Sequence, residues 1–347
     1  MDQINSLIAT RGFDRDLMDL DGKSILITGG TGGFGRAMVE LIVSRFKPAR
    51  LAVLSRDELK QFEMAAAFAG RCDSLEFIIG DVRDESRVLE AMAGIDVVIH
   101  AAALKHVPIA ERNPGECLKT NVDGALNIVR AARRLGTPHV CSISTDKAVN
   151  PVNVYGASKL AAEKIFSAAA MDGGDTVYCS VRYGNVVGSR GSVIPFFNRL
   201  VEEGATELPV TDARMTRFWI TMDQAVNFTL SSLALAHGGE VFVPKIATLS
   251  MLDIAHLVAP DLEARIVGIR PGEKLHEVLI SADEARTTLE LSDRFALLSE
   301  DHVDSRLRHL AAGAHGVEDT FCYASDTNPE LIRVPRTVAQ PRRAAAG

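Results

Sequence analysis

Ser24-Ile25-Leu26-Ile27-Thr28-Gly29-Gly30-Thr31-Gly32-Gly33-Phe34-Gly35-Arg36 joins a short apolar run to a glycine-rich turn, and a helical pattern follows it. The spacing Gly29-x-x-Gly32-x-x-Gly35 therefore predicts a buried strand, a tight turn and a helix in that order. Glycines at those positions let a phosphate come close to the backbone, and the first N–H groups of the helix favour an anion. A pyrophosphate is expected against Gly29, Thr31, Gly32, Gly33, Phe34 and Gly35; a glycine-rich turn without a ligand is the other reading.

Outward from this turn the same alternation continues. Apolar, β-rich runs recur at Arg50 to Ser55, Leu75 to Ile79, Asp96 to His100, His139 to Ile143 and Thr176 to Val181, with helical patterns between them. Strands that alternate with helices predict an α/β fold, a doubly wound parallel sheet of the Rossmann type, over residues 21–181. Beyond Arg182 the texture changes to Gly-, Pro- and Arg-containing loops, which predicts a smaller C-terminal substrate-binding lobe over residues 182–334, with residues 240–244 returning to the sheet. Residues 1–20 read as an N-terminal extension and residues 335–347 as a flexible tail, and no internal repeat is evident.

Composition narrows the function classes. A chain of 347 residues with 47% hydrophobic content can bury a large core. Its formal net charge of −7 argues against nucleic acid as the main partner, since phosphate backbones favour a concentrated basic face. Cys72, Cys117, Cys141, Cys179 and Cys322 are odd in number, scattered and free of any Cys-x-x-Cys. Neither a disulfide framework nor a metal site is expected, and a reducing cytoplasm fits best. The first twenty residues do not read as a signal peptide, and no apolar run reaches membrane-spanning length.

Two segments carry chemistry. The second strand ends in Ser55-Arg56-Asp57, where a protein that prefers NAD usually has an acidic residue for the ribose diol. Arg56 can pair with a 2′-phosphate, which favours NADP; the alternative is that Asp57 takes the ribose and Arg56 is solvated. Asp81, in Gly80-Asp81-Val82, is placed near an adenine amine or is a plain turn aspartate. The stretch Ser144-Thr145-Asp146-Lys147-Ala148-Val149-Asn150-Pro151-Val152-Asn153-Val154-Tyr155-Gly156-Ala157-Ser158-Lys159 combines hydroxyls, a carboxylate, an ammonium and a Tyr-x-x-x-Lys. If Tyr155 opens a helix, Lys159 lies one turn away on the same face, where its charge can depress the phenol pKa. A tyrosine so placed can take a proton from an alcohol. The segment follows an apolar run, so Asp146 and Lys147 should leave the carboxyl end of a strand, where open α/β sheets bind ligands.

Together these features resemble the extended short-chain dehydrogenases/reductases that act on nucleotide sugars. Closer still is the similarity to inverting UDP-N-acetylglucosamine 4,6-dehydratases, which make the first intermediate of pseudaminic acid for flagellin and other glycans. The similarity runs from about residue 22 to 290 and rests on Ser55 to Lys60, Ala101 to Pro108, Thr145 to Lys147, Arg182 to Ser192, Met215 to Thr221 and Arg270 to Glu277. Many related dehydratases have Thr-Asp-Glu where this chain has Thr145-Asp146-Lys147, and the membrane-anchored, C5-retaining relatives replace the tyrosine by methionine. Simple 4-epimerases keep the Tyr and Lys but need no acid/base pair beside them.

The resemblance implies a mechanism. Tyr155 removes the C4 hydroxyl proton as hydride passes to NADP, Lys147 takes the C5 proton, and Asp146 protonates the departing C6 hydroxyl. Hydride then returns to C6, and reprotonation of C5 from the opposite face inverts that centre. Such chemistry requires Lys147 partly neutral and Asp146 partly protonated near neutral pH. Thr145, and less strongly Ser144, would hydrogen-bond the C4 oxygen; both are otherwise ordinary strand-end hydroxyls. The resemblance also implies cofactor contacts from Ser55, Arg56, Lys60, Asp81, Val82, Ala101, Ala103, Lys105, Tyr155 and Lys159, with Lys105 reaching cofactor phosphate or substrate. Asn185, Arg217, Arg270 and Glu273 would meet the sugar nucleotide, and Arg214 could also meet phosphate. His106 reads as a packing histidine, Trp219 as lobe core, and Asn121 as a helix-bending or water-holding residue. A homo-oligomer, dimer or hexamer, is carried by the resemblance. The competing readings are a UDP-hexose 4-epimerase, a dehydratase of another nucleotide sugar, and a non-catalytic NADP-sensing protein.

Overall fold

In a computed structural model the chain is described over residues 2–189 and 191–334. Arg190 and the tail at 335–347, expected above to be flexible, lie outside the described residues. A short helix α1 (Asp2–Ile8) precedes β1 (Ser24–Thr28), α2 (Gly33–Arg45), β2 (Arg50–Ser55), α3 (Glu58–Phe68), β3 (Leu75–Ile79), α4 (Glu85–Met92) and β4 (Val97–His100). The helices α5 (Val107–Arg112), α6 (Pro114–Leu118) and α7 (Gly124–Leu135) lead to β5 (His139–Ile143), and α8 (Val154–Ala169) leads to β6 (Val177–Val181).

These six strands run parallel in the order β3-β2-β1-β4-β5-β6. Chain order reverses between β1 and β4, so a crevice opens at the carboxyl ends of those two strands. The strands are near-continuous apolar runs because both faces are covered. Ile25 and Ile27 of β1 enter one core with Met38, Val39 and Ile42 of α2, while Leu26 points the other way, toward Val88 of α4 and Ile128 of α7. Each α/β crossover thus buries one helical face.

The second half is built of shorter pieces: β7 (Asn185–Val186), α9 (Val193–Glu202), β8 (Glu207–Val210), β9 (Thr216–Ile220), α10 (Met222–Leu235), β10 (Val241–Pro244), β11 (Thr248–Ser250), α11 (Met251–Val258), β12 (Glu263–Ile266), β13 (Val278–Ile280), β14 (Thr288–Glu290), β15 (Arg294–Leu297), α12 (Val303–Ala311), β16 (His315–Gly316) and β17 (Tyr323–Ala324). Strand β10 joins β6 in parallel, and β15, β14 and β16 add antiparallel edges, giving a ten-stranded sheet. Residues 288–316 therefore contribute sheet strands as well as lying in the second half of the chain. The lobe proper is the β11-β9-β7 and β12-β8 pairings with α9 and α11, and its core is Ile194, Phe197, Trp219 and Ile254.

The N-terminal extension is part of this packing: Ile4 and Ile8 are buried in the lobe core, and Phe13 and Leu20 in the sheet core. Arg11 donates to Glu330 at 2.6 Å and to the Lys245 carbonyl at 3.1 Å, tying the extension to the far end of the described chain. A second tie is Arg182, whose buried guanidinium pairs with Glu163 of α8 at 2.7 Å and with Glu284 at 3.0 Å. Among the described residues, no helix is long and apolar enough to cross a membrane.

Candidate active site

One cavity of about 1300 Å³ fills the crevice between the sheet and the lobe. Its floor begins at the turn after β1, where Gly29 has φ +67° and an added Cβ would lie 2.8 Å from the Ala102 backbone, so only glycine fits. Gly29, Thr31, Gly32, Gly33 and Phe34 line the cavity. Helix α2 starts there with no side-chain cap and no acidic residue in its first turn, leaving its leading N–H groups to an anion. Gly35 does not line the cavity; it sits behind the cradle, where a Cβ would be 2.3 Å from the Gly30 Cα. Its place is helix packing and not ligand contact.

At the end of β2, Ser55, Arg56 and Lys60 line the cavity with Asp81 and Val82 from the β3 end and Ala101 and Ala103 from the β4 end. Arg56 is 53% exposed and 3.5 Å from Asp81, whose main partner is Arg83 at 2.6 Å. Asp57 is consumed locally: one carboxylate oxygen caps α3 through the Lys60 N–H, and the other pairs with the Lys60 ammonium. Lys105 also lines the cavity, and burial lowers its ammonium. Its loop is held by Asn121, which accepts from Leu104 N–H and donates to the Leu104 carbonyl and Ser158 hydroxyl. Asn121 lies within a single π turn, Lys119–Asp123, so it clamps the loop to α8 at a distortion of its own helix.

Beyond β5 the chain makes a 3₁₀ turn, Asp146–Ala148, capped by Thr145. The Asp146 N–H donates to the Tyr183 carbonyl, and the turn rests on Gly156 of α8, where an added Cβ would be 2.1 Å from the Lys147 carbonyl oxygen. The Lys147 ammonium donates to Asp146 Oδ1 at 2.9 Å, and the Thr145 hydroxyl donates to the same oxygen at 2.9 Å. Thr145, Lys147, Tyr155 and Lys159 line the cavity; Asp146 is 0% exposed, behind Lys147, and its Oδ2 has no hydrogen-bond partner among the described residues. The Ser144 hydroxyl is committed to Glu163.

The electrostatics differ from the expectation. Burial lowers Lys147, but the carboxylates of Asp146 and Glu277 outweigh it and raise the ammonium above the ordinary lysine value. In this state Lys147 is a charged half of an ion pair, not a partly neutral amine. Tyr155 is pushed up to about 12 by burial, which the Lys147 charge and a hydrogen bond with Thr145 offset only in part. Among the groups that act most strongly on the phenol, the cation is Lys147. Lys159 is itself lowered to about 8 by burial, with Glu163 opposing.

The lobe side brings Asn185, Arg217, Arg270 and Glu273 to the cavity. Arg270 is 61% exposed and 3.9 Å from Glu273 at the mouth. Arg217 is buried, and its guanidinium donates to the carbonyls of Thr216, Leu275 and Lys274. Arg214 does not line the cavity; it pairs with Asp212 on the surface. Trp219 is fully buried in the lobe core. A residue not singled out from sequence is Glu277, 3% exposed, on the cavity wall 3.8 Å from the Lys147 ammonium and 3.7 Å from Arg217. It closes the Arg270 to Glu277 segment, but nothing in its spacing ties it to Lys147.

A cradle for a dinucleotide, a phenol, and an ammonium backed by a buried carboxylate at one cavity can together serve the oxidation of an alcohol and move protons on neighbouring carbons. The sequence profile of the family described as polysaccharide biosynthesis protein matches residues 25–298. The UDP-N-acetylglucosamine 4,6-dehydratase (inverting) of Campylobacter jejuni strain 81-176 is 49% identical over 317 residues, covering 89% of this chain and 94% of the relative. A UDP-glucose 4-epimerase of Rickettsia massiliae is 40% identical over 321 residues, covering 89% and 92%. Among solved structures, Pen from Bacillus thuringiensis superposes with a TM-score of 0.81 at 34% identity, covering 90% of this chain and 95% of that one.

Proposed function

Since the chain belongs to the polysaccharide biosynthesis protein family and is a hydro-lyase of its inverting 4,6-dehydratase group, we propose that it uses NADP to convert UDP-N-acetylglucosamine to the C5-inverted 4-keto-6-deoxy sugar nucleotide. The observation that carries this reading is Lys147 beside Tyr155 on one cavity wall, with Asp146 buried behind it and bonded to its ammonium at 2.9 Å. A 4-epimerase needs a proton acceptor at C4 alone, so a carboxylate–ammonium pair next to the phenol favours elimination.

The glycine cradle and the uncapped start of α2 fit a pyrophosphate, and they would hold the cofactor with Ser55, Arg56 and Lys60 at its adenosine end. Because Asp57 is spent on capping α3, Arg56 is left to meet a 2′-phosphate, which supports NADP over NAD. When bound, NADP supplies the hydride acceptor for C4 and the hydride donor for C6.

The chain's own groups then manage protons. Tyr155, as the phenolate that burial disfavours and the neighbouring Lys147 charge supports, takes the C4 hydroxyl proton, and Thr145 orients the oxygen it leaves. The resulting ketone acidifies the C5 hydrogen. Transfer of one proton along the 2.9 Å bond from Lys147 to Asp146 turns the resting ion pair into a neutral amine and a protonated acid. Lys147 then removes the C5 proton, and Asp146, behind the cavity wall, supplies through the Thr145 hydroxyl bonded to it the proton with which the C6 oxygen leaves as water. Burial of the pair favours this neutral form once substrate displaces water from the cavity.

Proton NMR of the purified protein with UDP-N-acetylglucosamine in deuterated water tests the reading. A new C6 methyl signal with deuterium at an inverted C5 is expected, and Lys147→Ala is expected to lose it while retaining cofactor. A 4-epimer without a methyl group would assign the chain to the activity named for the Rickettsia relatives. Unchanged substrate after NADP is added would overturn the substrate assignment.

A further inference from the structure

Lys147 is flanked by two carboxylates, and only one of them has a role in the chemistry above. Glu277 precedes β13, and its backbone is fixed on both sides: its N–H donates to the Ser325 hydroxyl at 2.9 Å, and its carbonyl accepts from the Ser325 N–H at 2.8 Å. The side chain is thereby held against the cavity wall. Oε1 is 3.8 Å from the Lys147 ammonium and 3.7 Å from Arg217, while Oε2 is buried with no hydrogen-bond partner among the described residues. A buried carboxylate that satisfies only one oxygen, by contacts longer than hydrogen bonds, is poorly paid in solvation.

The groups around it come from several elements. Asp146 and Lys147 face it from the turn after β5, Arg217 from β9, and Lys274 from the same loop; Lys274 is bonded to the Val149 carbonyl, and burial lowers its ammonium. His276, the preceding residue, is turned to the Thr216 hydroxyl. Burial pushes the Glu277 carboxyl up, against the pull of Lys147. Two carboxylates and three cations thus share a region largely shut off from water.

We propose that Glu277 sets the proton balance between Asp146 and Lys147: charged, it holds Lys147 as the ammonium, and protonated, it releases Lys147 to hand a proton to Asp146 Oδ1. The inference rests on the reading of Lys147 as the base that works at C5. In the transfer one N–H bond breaks at Lys147 Nζ and one O–H bond forms at Asp146, with no change of oxidation state. Glu277 is in these terms a positioning residue, since it acts through Lys147. Glu277 takes its proton from solvent before substrate seals the cavity, and the seal then raises the cost of the remaining charges and favours neutral Lys147.

The test compares the full chain with Glu277→Gln and Glu277→Asp, following methyl formation and C5 deuteration on UDP-N-acetylglucosamine from about pH 5 to 9. The transfer from Lys147 to Asp146 keeps the pair's proton count, so the proton that pH controls is the one on Glu277, and its loss gives the alkaline limb of the rate profile. An amide has no such proton to lose, and an opposite charge within about 4–6 Å shifts a pKa by roughly 1–3 units, so Glu277→Gln is expected to move that limb up by about one pH unit or more. Glu277→Asp, with its carboxylate drawn back, is expected to fall between. Should Glu277→Gln fail to fold, as a melting curve would show, the Asp variant decides alone.

A limb that stays in place in a folded, cofactor-loaded variant overturns the proposal. So does loss of all elimination in Glu277→Gln with the 4-keto intermediate accumulating, which would make Glu277 itself the acid that works on substrate. Lys147→Ala separates the two levels. If it still eliminates, the reading of Lys147 falls; if it is inactive while the limb of Glu277→Gln is unmoved, only the role of Glu277 falls.

Discussion

Gly156→Ala tests whether the Asp146–Lys147 turn takes its position from the helix beneath it. A Cβ at residue 156 would stand 2.1 Å from the Lys147 carbonyl oxygen and 3.0 Å from its carbon. Ordinary contact begins near 3.4 Å, so the carbonyl must retreat by about 1.3 Å or the first turn of α8 must lift by as much. In an open helix the change would stabilise by up to about 1 kcal/mol. Here the gain is reversed, since overpacking a closed site costs about 1–3 kcal/mol. With an unfolding entropy of about 2.1 cal/mol/K per residue, a loss of about 2 kcal/mol lowers Tm by roughly 3 °C in a chain of this length. The same shift moves Lys147, and a misplacement of about 1 Å costs on the order of 100-fold in rate. Calorimetry and methyl production by NMR, on the same preparation, measure both. A variant as stable as the parent with undiminished turnover would refute the claim that this contact fixes the turn.

Two further outcomes are expected. Arg56→Ala should weaken NADP binding about tenfold or more and leave NAD binding nearly unchanged, because a charge-assisted contact to a 2′-phosphate contributes roughly 1.5–3 kcal/mol. Fluorescence titration with each nucleotide measures this, and equal weakening of both would refute the discrimination. His100 is buried against Thr28, and burial, then the Lys159 charge, lowers it to about 3 from the ordinary 6.5. The unfolded chain therefore binds a proton that the folded chain refuses between those values. Stability falls as pH drops below about 6.5, by about 1.4 kcal/mol per unit from this group, down to about pH 3. Urea midpoints at pH 7, 6 and 5 should show that slope and a flatter one in His100→Gln; identical slopes would remove His100 as the cause.

How much of this was legible in the sequence depended on how local each signal was. β1 and its turn were legible because Ile25, Leu26 and Ile27 are buried on both sheet faces and Gly29 must take a positive φ, both local demands on residue type. Tyr155 and Lys159 were legible as neighbours on one helical turn. The charge that acts on Tyr155 was not, because Lys147 reaches the phenol only after the 3₁₀ turn folds back on Gly156. Strands β14 and β16 were hidden for another reason: Leu289 pairs with Gly316 in runs of two or three residues, too short to show alternation. Glu277 meets Lys147 across 130 positions of chain, and only the packing of the lobe on the sheet brings them together.

The bond from Arg11 to Glu330 spans 319 positions, and it gives the order of synthesis a consequence. At about 5–20 residues per second, the ribosome needs on the order of half a minute to deliver Glu330 after Arg11 has emerged. Until residues 187–259 have emerged Ile4 and Ile8 have no lobe core to enter, and β6 shows an unpaired edge until β10 is made. The nascent protein is then a half-closed sheet with a loose apolar helix, the species that chaperones and proteases compete for. Codon changes that slow translation between residues 181 and 244 would prolong that exposure and lower the yield of folded enzyme without altering one amino acid.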